Sequence, residues 1–216
     1  MIRQNKVKVN KRKTKSSYRL QLGDVVEVYQ LTKFQPKDKN TKYKYIPKKK
    51  EIGKYYEHII ENNENFIIVN KPAGIPVQSG TKSFKNIIDV LKDTKFFETS
   101  KPYIVHRIDK ETSGLLIVAK NRKFAQLFTT LFRIRKIHKT YIAITYGKIS
   151  NSTKTLSDNL IFYDNKKKII QKAVCNIKVL KSNDKYSLVE LNPITGRKHQ
   201  LRKQLINLGN PIVGDK

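Results

Sequence analysis

The order of short apolar segments constrains the fold of this chain more than any other feature, because their spacing fits strands at some places and helices at others. Alternation or a continuous apolar run predicts strands at Phe66–Val69, Leu115–Ala119, Tyr141–Tyr146, Lys172–Leu180 and Tyr186–Leu191, the last two as an antiparallel pair. Helical spacing predicts helices at Phe84–Leu91, after Asn121 as an N-cap, and from Thr195 as N-cap to Gly209 as C-cap. Strands and helices do not alternate as βαβ units, so we expect an α+β domain with a largely antiparallel mixed sheet and flanking helices.

The amino-terminal quarter differs from the rest in charge and periodicity. Short strands at Val7–Val9 and at the end of Leu20–Val28, after a Gly-Asp turn, predict a small β piece within residues 1–29. Residues 30–60 are rich in lysine, contain prolines and show no sustained period, which predicts a basic linker or an RNA-contacting arm. Residues 61–216 are then expected to form the main domain.

The charge is strongly unbalanced, with 46 Lys and Arg against 17 Asp and Glu and a formal net charge of +29. A polyanionic partner, above all a nucleic acid, explains such an imbalance best. A merely solvated basic surface is one alternative. A basic protein at a membrane surface is another, although no long amphipathic helix with a Lys/Arg face supports it.

Other compositional features limit the class of protein. No stretch approaches the roughly 18 to 20 apolar residues that span a bilayer, and Met1–Leu20 lacks the apolar segment of a secretory signal. Cys175 is the single cysteine, so no internal disulfide can form, and no Cys/His cluster has the spacing of a zinc site. We therefore expect a soluble cytoplasmic protein without membrane association and without a metal.

Four segments carry recognisable motifs: Asn70–Gly74 (Asn-Lys-Pro-Ala-Gly), His106–Gly114 (His-Arg-Ile-Asp-Lys-Glu-Thr-Ser-Gly), Lys139–Tyr141 (Lys-Thr-Tyr) and Pro193–Arg202 (Pro-Ile-Thr-Gly-Arg-Lys-His-Gln-Leu-Arg). In content and order they resemble the RluA family of pseudouridine synthases, over roughly Asn65 to Asp215. The second motif is the most specific. It resembles the family's His-Arg-Leu-Asp-x-x-Thr-Ser-Gly, with Ile108 in place of Leu. The resemblance implies an enzyme that isomerises uridine to pseudouridine in RNA without a cofactor, on the pseudouridine synthase fold.

The resemblance implies that Asp109, Tyr141 and Arg197 are the catalytic residues. In the reaction the uracil leaves its ribose, turns and rejoins through carbon 5, and an ionised carboxylate can act as the nucleophile that divides this rearrangement into easier steps. Asp109 is implied as that nucleophile, and Arg197 as the guanidinium that keeps it charged. Tyr141 is implied to stack on the flipped uracil, where its hydroxyl can take part in proton transfer. For Asp109 and Arg197 the alternative is a surface ion pair that contributes little to stability. For Tyr141 the alternative is a tyrosine packed in the core.

The residues implied to bind the substrate are His106, Arg107, Leu201, Arg202 and Lys71. Arg107 is implied to help push the target nucleotide out of its stack, and Arg202 is a candidate for a phosphate contact, as is Lys203 beside it. Leu201 either forms the floor of the base pocket or belongs to the core. His106 either flanks the nucleophile in the pocket or braces its loop, and we favour the bracing role.

The segment Lys6–Val28 resembles the second half of a small RNA-binding module, named after a ribosomal protein of the small subunit, which precedes this catalytic domain in many relatives. The helices that open the module are missing, and the chain ends at Gly214–Lys216 before the family's closing strands, so we expect a fragment or an abbreviated protein. The module, the basic linker and Ser79–Ile87 look most like the RluC and RluD branch, which acts on large-subunit ribosomal RNA. We expect a monomer with ribosomal RNA as its partner.

Three other functions remain open from sequence. The same chemistry on transfer RNA is the first, because the catalytic motifs do not encode the target. The second is a non-enzymatic RNA-binding or ribosome-assembly protein, against which the intact Asp109, Tyr141 and Arg197 argue. The third is a DNA-binding regulator, for which the sequence has neither a helix-turn-helix nor a zinc-finger pattern.

Overall fold

The computed structural model describes most of the chain. The described residues are 6–15, 17–29, 47, 53, 55–79, 85–164 and 167–215. The chain divides into two compact units, residues 1–45 and 46–216. The basic linker predicted at residues 30–60 lies largely outside the described residues. The first strand of the second unit begins at Ile59, shortly before the predicted domain start at residue 61.

Three short strands form an antiparallel sheet in the first unit: β1 (Val7–Val9), β2 (Arg12–Lys13) and β3 (Val26–Val28), in the order β2-β1-β3. Asn10 has a left-handed backbone conformation (φ 49°), which lets the chain turn sharply after β1. Its side chain ties the turn to the approach of β3, because Nδ2 donates to Asp24 Oδ1 (2.7 Å) and Oδ1 accepts from Val25 N (2.8 Å). The two expected strands are confirmed, whereas β2 was not predicted.

The second unit contains a first antiparallel sheet with the order β4-β5-β7-β6. Its strands are β4 (Ile59–Asn62), β5 (Phe66–Lys71), β6 (Tyr103–Ile104) and β7 (Gly114–Ala119). Helix α1 (Ile87–Lys92) and a 3₁₀ turn (Lys95–Phe97) connect β5 to β6, and helix α2 (Arg122–Arg133) follows β7. Alternate residues of β5, Ile67 and Val69, are fully buried. The strands predicted at Phe66–Val69 and Leu115–Ala119 are confirmed.

The starts of α1 and α2 are set by asparagine N-caps. Asn121 Oδ1 accepts a hydrogen bond from Phe124 N (2.9 Å), which confirms the predicted cap of α2. Asn86 Oδ1 accepts from Asp89 N in the same way (3.0 Å), so α1 begins at Ile87. Phe84, where the helix was predicted to begin, lies outside the described residues.

A second antiparallel sheet has the order β8-β11-β10-β9. Its strands are β8 (Tyr141–Tyr146), β9 (Thr155–Asp164), β10 (Lys167–Ser182) and β11 (Tyr186–Pro193). The strand predicted at Tyr141–Tyr146 and the predicted pairing of the β10 and β11 segments are confirmed, whereas β9 was not predicted. One face of this sheet packs on helix α3 (Gln200–Asn207) through a buried cluster: Ile149, Leu156, Cys175, Ile177, Val189, Leu191 and Leu205.

Helix α3 begins later than predicted. Thr195 is not its N-cap, because the Thr195 hydroxyl bonds to strand β10, accepting from Val174 N (2.8 Å), and to the Gln200 side chain (2.7 Å). The N-cap is His199, in the left-handed conformation (φ 51°). The end of the helix agrees with the sequence, since Gly209 follows it with φ 85° and bonds to Ile206 O (2.9 Å). No helix in the described part of the chain is long and apolar enough to cross a membrane.

Candidate active site

The loop between β6 and β7 carries Asp109 and is fixed by the segment that follows β5. Lys71 is fully buried, and its ammonium donates to three carbonyl oxygens: Pro72 (2.8 Å), Ile75 (2.9 Å) and Lys110 (3.1 Å). Gly74 N donates to the same Lys110 oxygen (2.9 Å). Burial lowers the pKa of Lys71 to about 8, against the opposing effect of the Glu111 and Asp109 charges. The first motif therefore holds the carbonyl of Lys110, the residue that follows Asp109.

This geometry corrects the substrate-binding role predicted for Lys71. A buried ammonium with three carbonyl acceptors has its donors occupied, because an ammonium group has three N–H bonds. Lys71 thus acts inside the protein, between two loops, rather than at the surface where RNA could reach it.

The other support of the loop is His106. Its Nε2 accepts a hydrogen bond from Ile117 N (2.9 Å) on β7, and its ring lies against Phe132 of α2, with 4.5 Å between ring centroids. Burial, with a contribution from the Lys139 charge, lowers the pKa of His106 to about 4. The imidazole is therefore neutral, with its proton on Nδ1, and this geometry favours the bracing role over a role in the pocket.

A buried polar network fixes α3 against β9 and β10. Gln200 Nε2 donates to Val174 O (3.1 Å) and to Gln204 Oε1 (3.0 Å). Gln204 Nε2 in turn donates to Leu156 O (3.2 Å) and to Asp158 Oδ2 (2.8 Å). Buried polar groups that are fully paired resist displacement, so this network sets the position of the helix. Its first turn faces the Asp109 loop.

Two side chains of this helix start approach Asp109, whose side chain is 25% exposed. His199 Nδ1 lies 2.7 Å from Asp109 Oδ2, and Arg202 Nη1 lies 3.8 Å from the same oxygen. Arg202 is itself held by Asp215, with Nε at 2.7 Å from Oδ2 and Nη2 at 2.6 Å from Oδ1. The Asp109 carboxylate is thus partly buried between an imidazole and a guanidinium.

The arginine beside Asp109 is not the one that the sequence predicted. In the part of the chain that the structure describes, Asp109 is paired with Arg202 and not with Arg197. Arg197 precedes the helix; its Nε donates to Lys172 O (3.1 Å) on β10, and its backbone N donates to Gln200 Oε1 (3.0 Å). The reason is the late start of α3, which leaves Arg197 outside the helix. The predicted phosphate contact of Arg202 is also revised, because its guanidinium is engaged by two carboxylates.

Tyr141, the first residue of β8, lies near Asp109. Burial raises the pKa of Tyr141, and the negative charge of Asp109 raises it further. The side chain is therefore a protonated phenol at neutral pH.

Leu201 packs against the buried cluster of the second sheet, which favours the core alternative. Arg107 is exposed, and Lys203 Nζ is engaged by Ile161 O (3.0 Å) and by the Phe162 ring, 4.1 Å from its centroid.

Sequence reasoning missed His199 and Asp215 as members of this site. His199 belongs to the last motif, Pro193–Arg202, and its place in that motif was the sequence feature that could have identified it as a site residue. Asp215 had no signal, because it meets Arg202 only through the fold. No group of three or more His, Cys, Asp or Glu side chains within the described ranges is arranged to hold a metal ion.

Comparison with known proteins agrees with the motifs. The sequence model of the RNA pseudouridylate synthase family matches residues 65–207. The ribosomal large subunit pseudouridine synthase C of Buchnera aphidicola subsp. Baizongia pistaciae is 32% identical, over 100% of this chain and 69% of that protein. The protein of the same name from Rickettsia bellii is 35% identical, over 99% of this chain and 74% of that protein.

A solved structure shares the fold as well. Human RNA pseudouridylate synthase domain containing 4 superimposes with a TM-score of 0.65 at 32% identity, covering 76% of this chain and 69% of that chain. The matched family region contains Asp109, Tyr141 and Arg202. The chain therefore belongs to the RNA pseudouridylate synthase family, the RluA-type family that its four motifs resemble.

Proposed function

We propose that this protein isomerises uridine to pseudouridine in large-subunit ribosomal RNA, with Asp109 as the nucleophile. The observation that carries the proposal is the partly buried Asp109 carboxylate, bonded to His199, close to Arg202 and near the phenol of Tyr141. The ribosomal target is supported by the similarity, over nearly all of this chain, to two ribosomal large subunit pseudouridine synthases C.

The chemistry needs one carboxylate and a way to move protons. Asp109 attacks C1′ of the ribose while the bond from C1′ to N1 of uracil breaks, and the uracil leaves with the electron pair of that bond. After the base has turned, its C5 attacks C1′ and displaces Asp109. The proton on C5 is then lost, and N1 gains a proton, so atoms and charge balance.

Nearby cations and hydrogen-bond donors stabilise the ionised form of Asp109. An opposite charge or a donated hydrogen bond favours the charged carboxylate, which is the form that attacks. Arg202 supplies the charge in place of the predicted Arg197. Tyr141, as a protonated phenol, donates a hydrogen bond to the uracil or to the ribose rather than acting first as a base. The exposed Arg107, two residues before Asp109, fills the position that the extruded nucleotide leaves.

We also propose that the enzyme acts as a cytoplasmic monomer. One copy of the chain brings together Asp109, His199, Arg202 and Tyr141, so the site requires no second copy. Gel filtration at micromolar concentration is expected to give the mass of one chain.

The function is tested by the change Asp109→Asn, which keeps the shape of the side chain and removes its charge. Pseudouridines are mapped in the RNA of cells that lack the gene and carry either the parent or the variant. We expect sites in large-subunit ribosomal RNA that depend on the parent gene and are not restored by Asp109→Asn. The purified variant should bind RNA within about a few-fold of the parent, since the lost step is nucleophilic.

Each other outcome contradicts a definite part of the proposal. Parent-dependent sites found only in transfer RNA would refute the ribosomal target. Turnover by Asp109→Asn at more than a few per cent of the parent rate would refute the nucleophile.

A further inference from the structure

We propose that His199 is a positioning residue of this active site, which holds Oδ2 of Asp109 through its Nδ1–H and leaves Oδ1 free to attack the ribose. The inference rests on the proposed function, because it concerns the same nucleophile. Its basis is the 2.7 Å separation between His199 Nδ1 and Asp109 Oδ2, which is shorter than the 3.8 Å from Arg202 Nη1 to the same oxygen.

The location of the proton on His199 follows from its two neighbours. Nδ1 lies 2.7 Å from Asp109 Oδ2, an acceptor, and 3.1 Å from Arg202 Nη1, a donor. A lone pair on Nδ1 would face the carboxylate oxygen at 2.7 Å, which is repulsive. The contact with Asp109 is the shorter of the two, so we assign a proton on Nδ1 that is donated to Asp109, and Arg202 Nη1 then cannot donate to the same nitrogen. This requirement is met by the neutral Nδ1–H tautomer and by the imidazolium, so the bond does not depend on the charge of the ring.

His199 and Arg202 contribute different interactions to Asp109, as the same distances indicate. Two of the Arg202 nitrogens, Nε and Nη2, are bonded to Asp215, and Nη1 is 3.8 Å from Asp109 Oδ2, too far for a hydrogen bond. Arg202 therefore contributes charge to the site, and His199 contributes the directional bond. A nucleophile held to within a fraction of an ångström reacts faster, because orientation lowers the barrier.

The backbone conformation of His199 is consistent with a side chain that positions Asp109. It sits at the N-cap of α3 with φ 51°, and its side chain makes no cap hydrogen bond to the helix. Residues preferred at N-caps, such as Ser, Thr, Asn and Asp, use their side chains for that bond. Here the imidazole is turned away from the helix and toward Asp109. The helix start is held by the Gln200 network instead.

Charged and polar groups from several elements surround this carboxylate. Lys71 from β5 and Tyr141 from β8 both feel the charge of Asp109. Arg202 from α3 approaches directly, and Asp215 reaches it through Arg202. Removing His199 leaves these groups in place, so the comparison of His199→Asn with His199→Gln reports on the missing hydrogen bond.

Three substitutions separate a positioning role from a structural one. In His199→Asn the amide nitrogen takes the position of Nδ1, and asparagine tolerates the left-handed backbone. In His199→Gln the amide nitrogen lies further out, near the position of Nε2. His199→Gly relaxes the backbone and removes the side chain. His138→Ala, which removes an exposed imidazole elsewhere, is the control.

Single-turnover rates are measured for these full-length proteins from pH 5 to 9 on the RNA that the parent modifies, together with RNA affinity and melting temperature. We expect His199→Asn to stay within about 5-fold of the parent, and His199→Gln and His199→Gly to lose about 10- to 100-fold with RNA affinity unchanged. The control should match the parent in rate and pH profile.

Two results would overturn the inference while the proposed function stands. One is a His199→Gly variant as fast as the parent with the same pH profile. The other is equal activity of His199→Asn and His199→Gln. A variant that fails to fold shows itself by its melting temperature, and the comparison of Asn with Gln then decides. A parent that forms no pseudouridine in large-subunit ribosomal RNA overturns the proposed function instead.

Discussion

At the scale of single residues, two arginines of one motif have different surroundings. Arg202 lies within 3.8 Å of Asp109, whereas Arg197 bonds to a backbone oxygen of β10. Both belong to the same motif, and their spacing in sequence does not say which of them faces Asp109. The start of α3 decides it, because only Arg202 belongs to the first turns of the helix. The positive charge that stabilises an ionised Asp109 should therefore come from Arg202.

This assignment is tested by Arg202→Met, Arg202→Lys and Arg197→Met. Arg202→Met should lower the single-turnover rate by about 100-fold, since Asp109 would then lie near Asp215 with no guanidinium between them. Arg202→Lys should retain part of the rate, because lysine keeps the charge and loses the planar fork that bonds to Asp215. Arg197→Met should lose less than Arg202→Met; the opposite ranking in pH-dependent single-turnover assays would restore Arg197 as the partner.

His106 gives a pH dependence of stability rather than of chemistry. Its pKa falls from 6.5 to about 4 in the folded protein, so the unfolded chain binds more protons than the folded one between these values. The free energy of unfolding should then rise with pH across this window. The stabilisation is fully present above pH 6.5 and is lost as the pH falls toward 4. Its full size is on the order of 3 kcal/mol.

The measurement is chemical denaturation of the parent and of His106→Gln at several pH values from 4 to 7.5. Glutamine can still accept from Ile117 N but does not titrate, so its unfolding free energy should rise less steeply with pH than that of the parent. His138→Gln, at an exposed position, should keep the parent's slope. Equal slopes for the parent and His106→Gln would mean that the buried imidazole does not govern acid stability.

At the scale of elements, the parts of the fold that depend on local sequence were predictable. The strand at Tyr141–Tyr146 follows from its apolar residues, and the start of α2 follows from Asn121, whose side chain caps its own helix. Strand β9 was missed because only Leu156 and Leu160 among its described side chains are buried. Its conformation comes from pairing along its whole length with β10, which no local pattern reveals.

The same distinction explains what was missed in the site. Thr195 has the identity of an N-cap, but its hydroxyl bonds to β10, a partner distant in sequence. That tertiary bond delays the helix and changes which arginine meets Asp109. Asp109 and Tyr141 were named from motif identity and lie near each other in the structure. The pairing of Arg202 with Asp215 could not be named, because it exists only once the fold is formed.

At the scale of the whole molecule, the charge is the dominant property. A net charge of +29 on 216 residues attracts any polyanion, and membership of the RNA pseudouridylate synthase family makes RNA the expected one. In the first unit, exposed basic residues follow β1 and continue through β2: Lys11, Arg12, Lys13 and Lys15. Their side chains are available for phosphate contacts, which give affinity and orientation without reading sequence.

We expect this basic group of four residues, Lys11, Arg12, Lys13 and Lys15, to contact RNA phosphates. Changing all four to Gln should weaken binding to every RNA alike and lower the slope of log affinity against log salt by about 0.7 to 0.9 for each phosphate that is no longer neutralised. The modified uridines should stay the same, because selection belongs to the pocket around Asp109. The measurement is RNA affinity across a salt titration, with a charge-preserving control in which the three lysines become Arg and Arg12 becomes Lys. That control should keep the parent's slope, since counterion release depends on the number of charges and not on their shape. An unchanged slope in the Gln variant would mean that these side chains face solvent in the complex, and that the second unit alone holds the RNA.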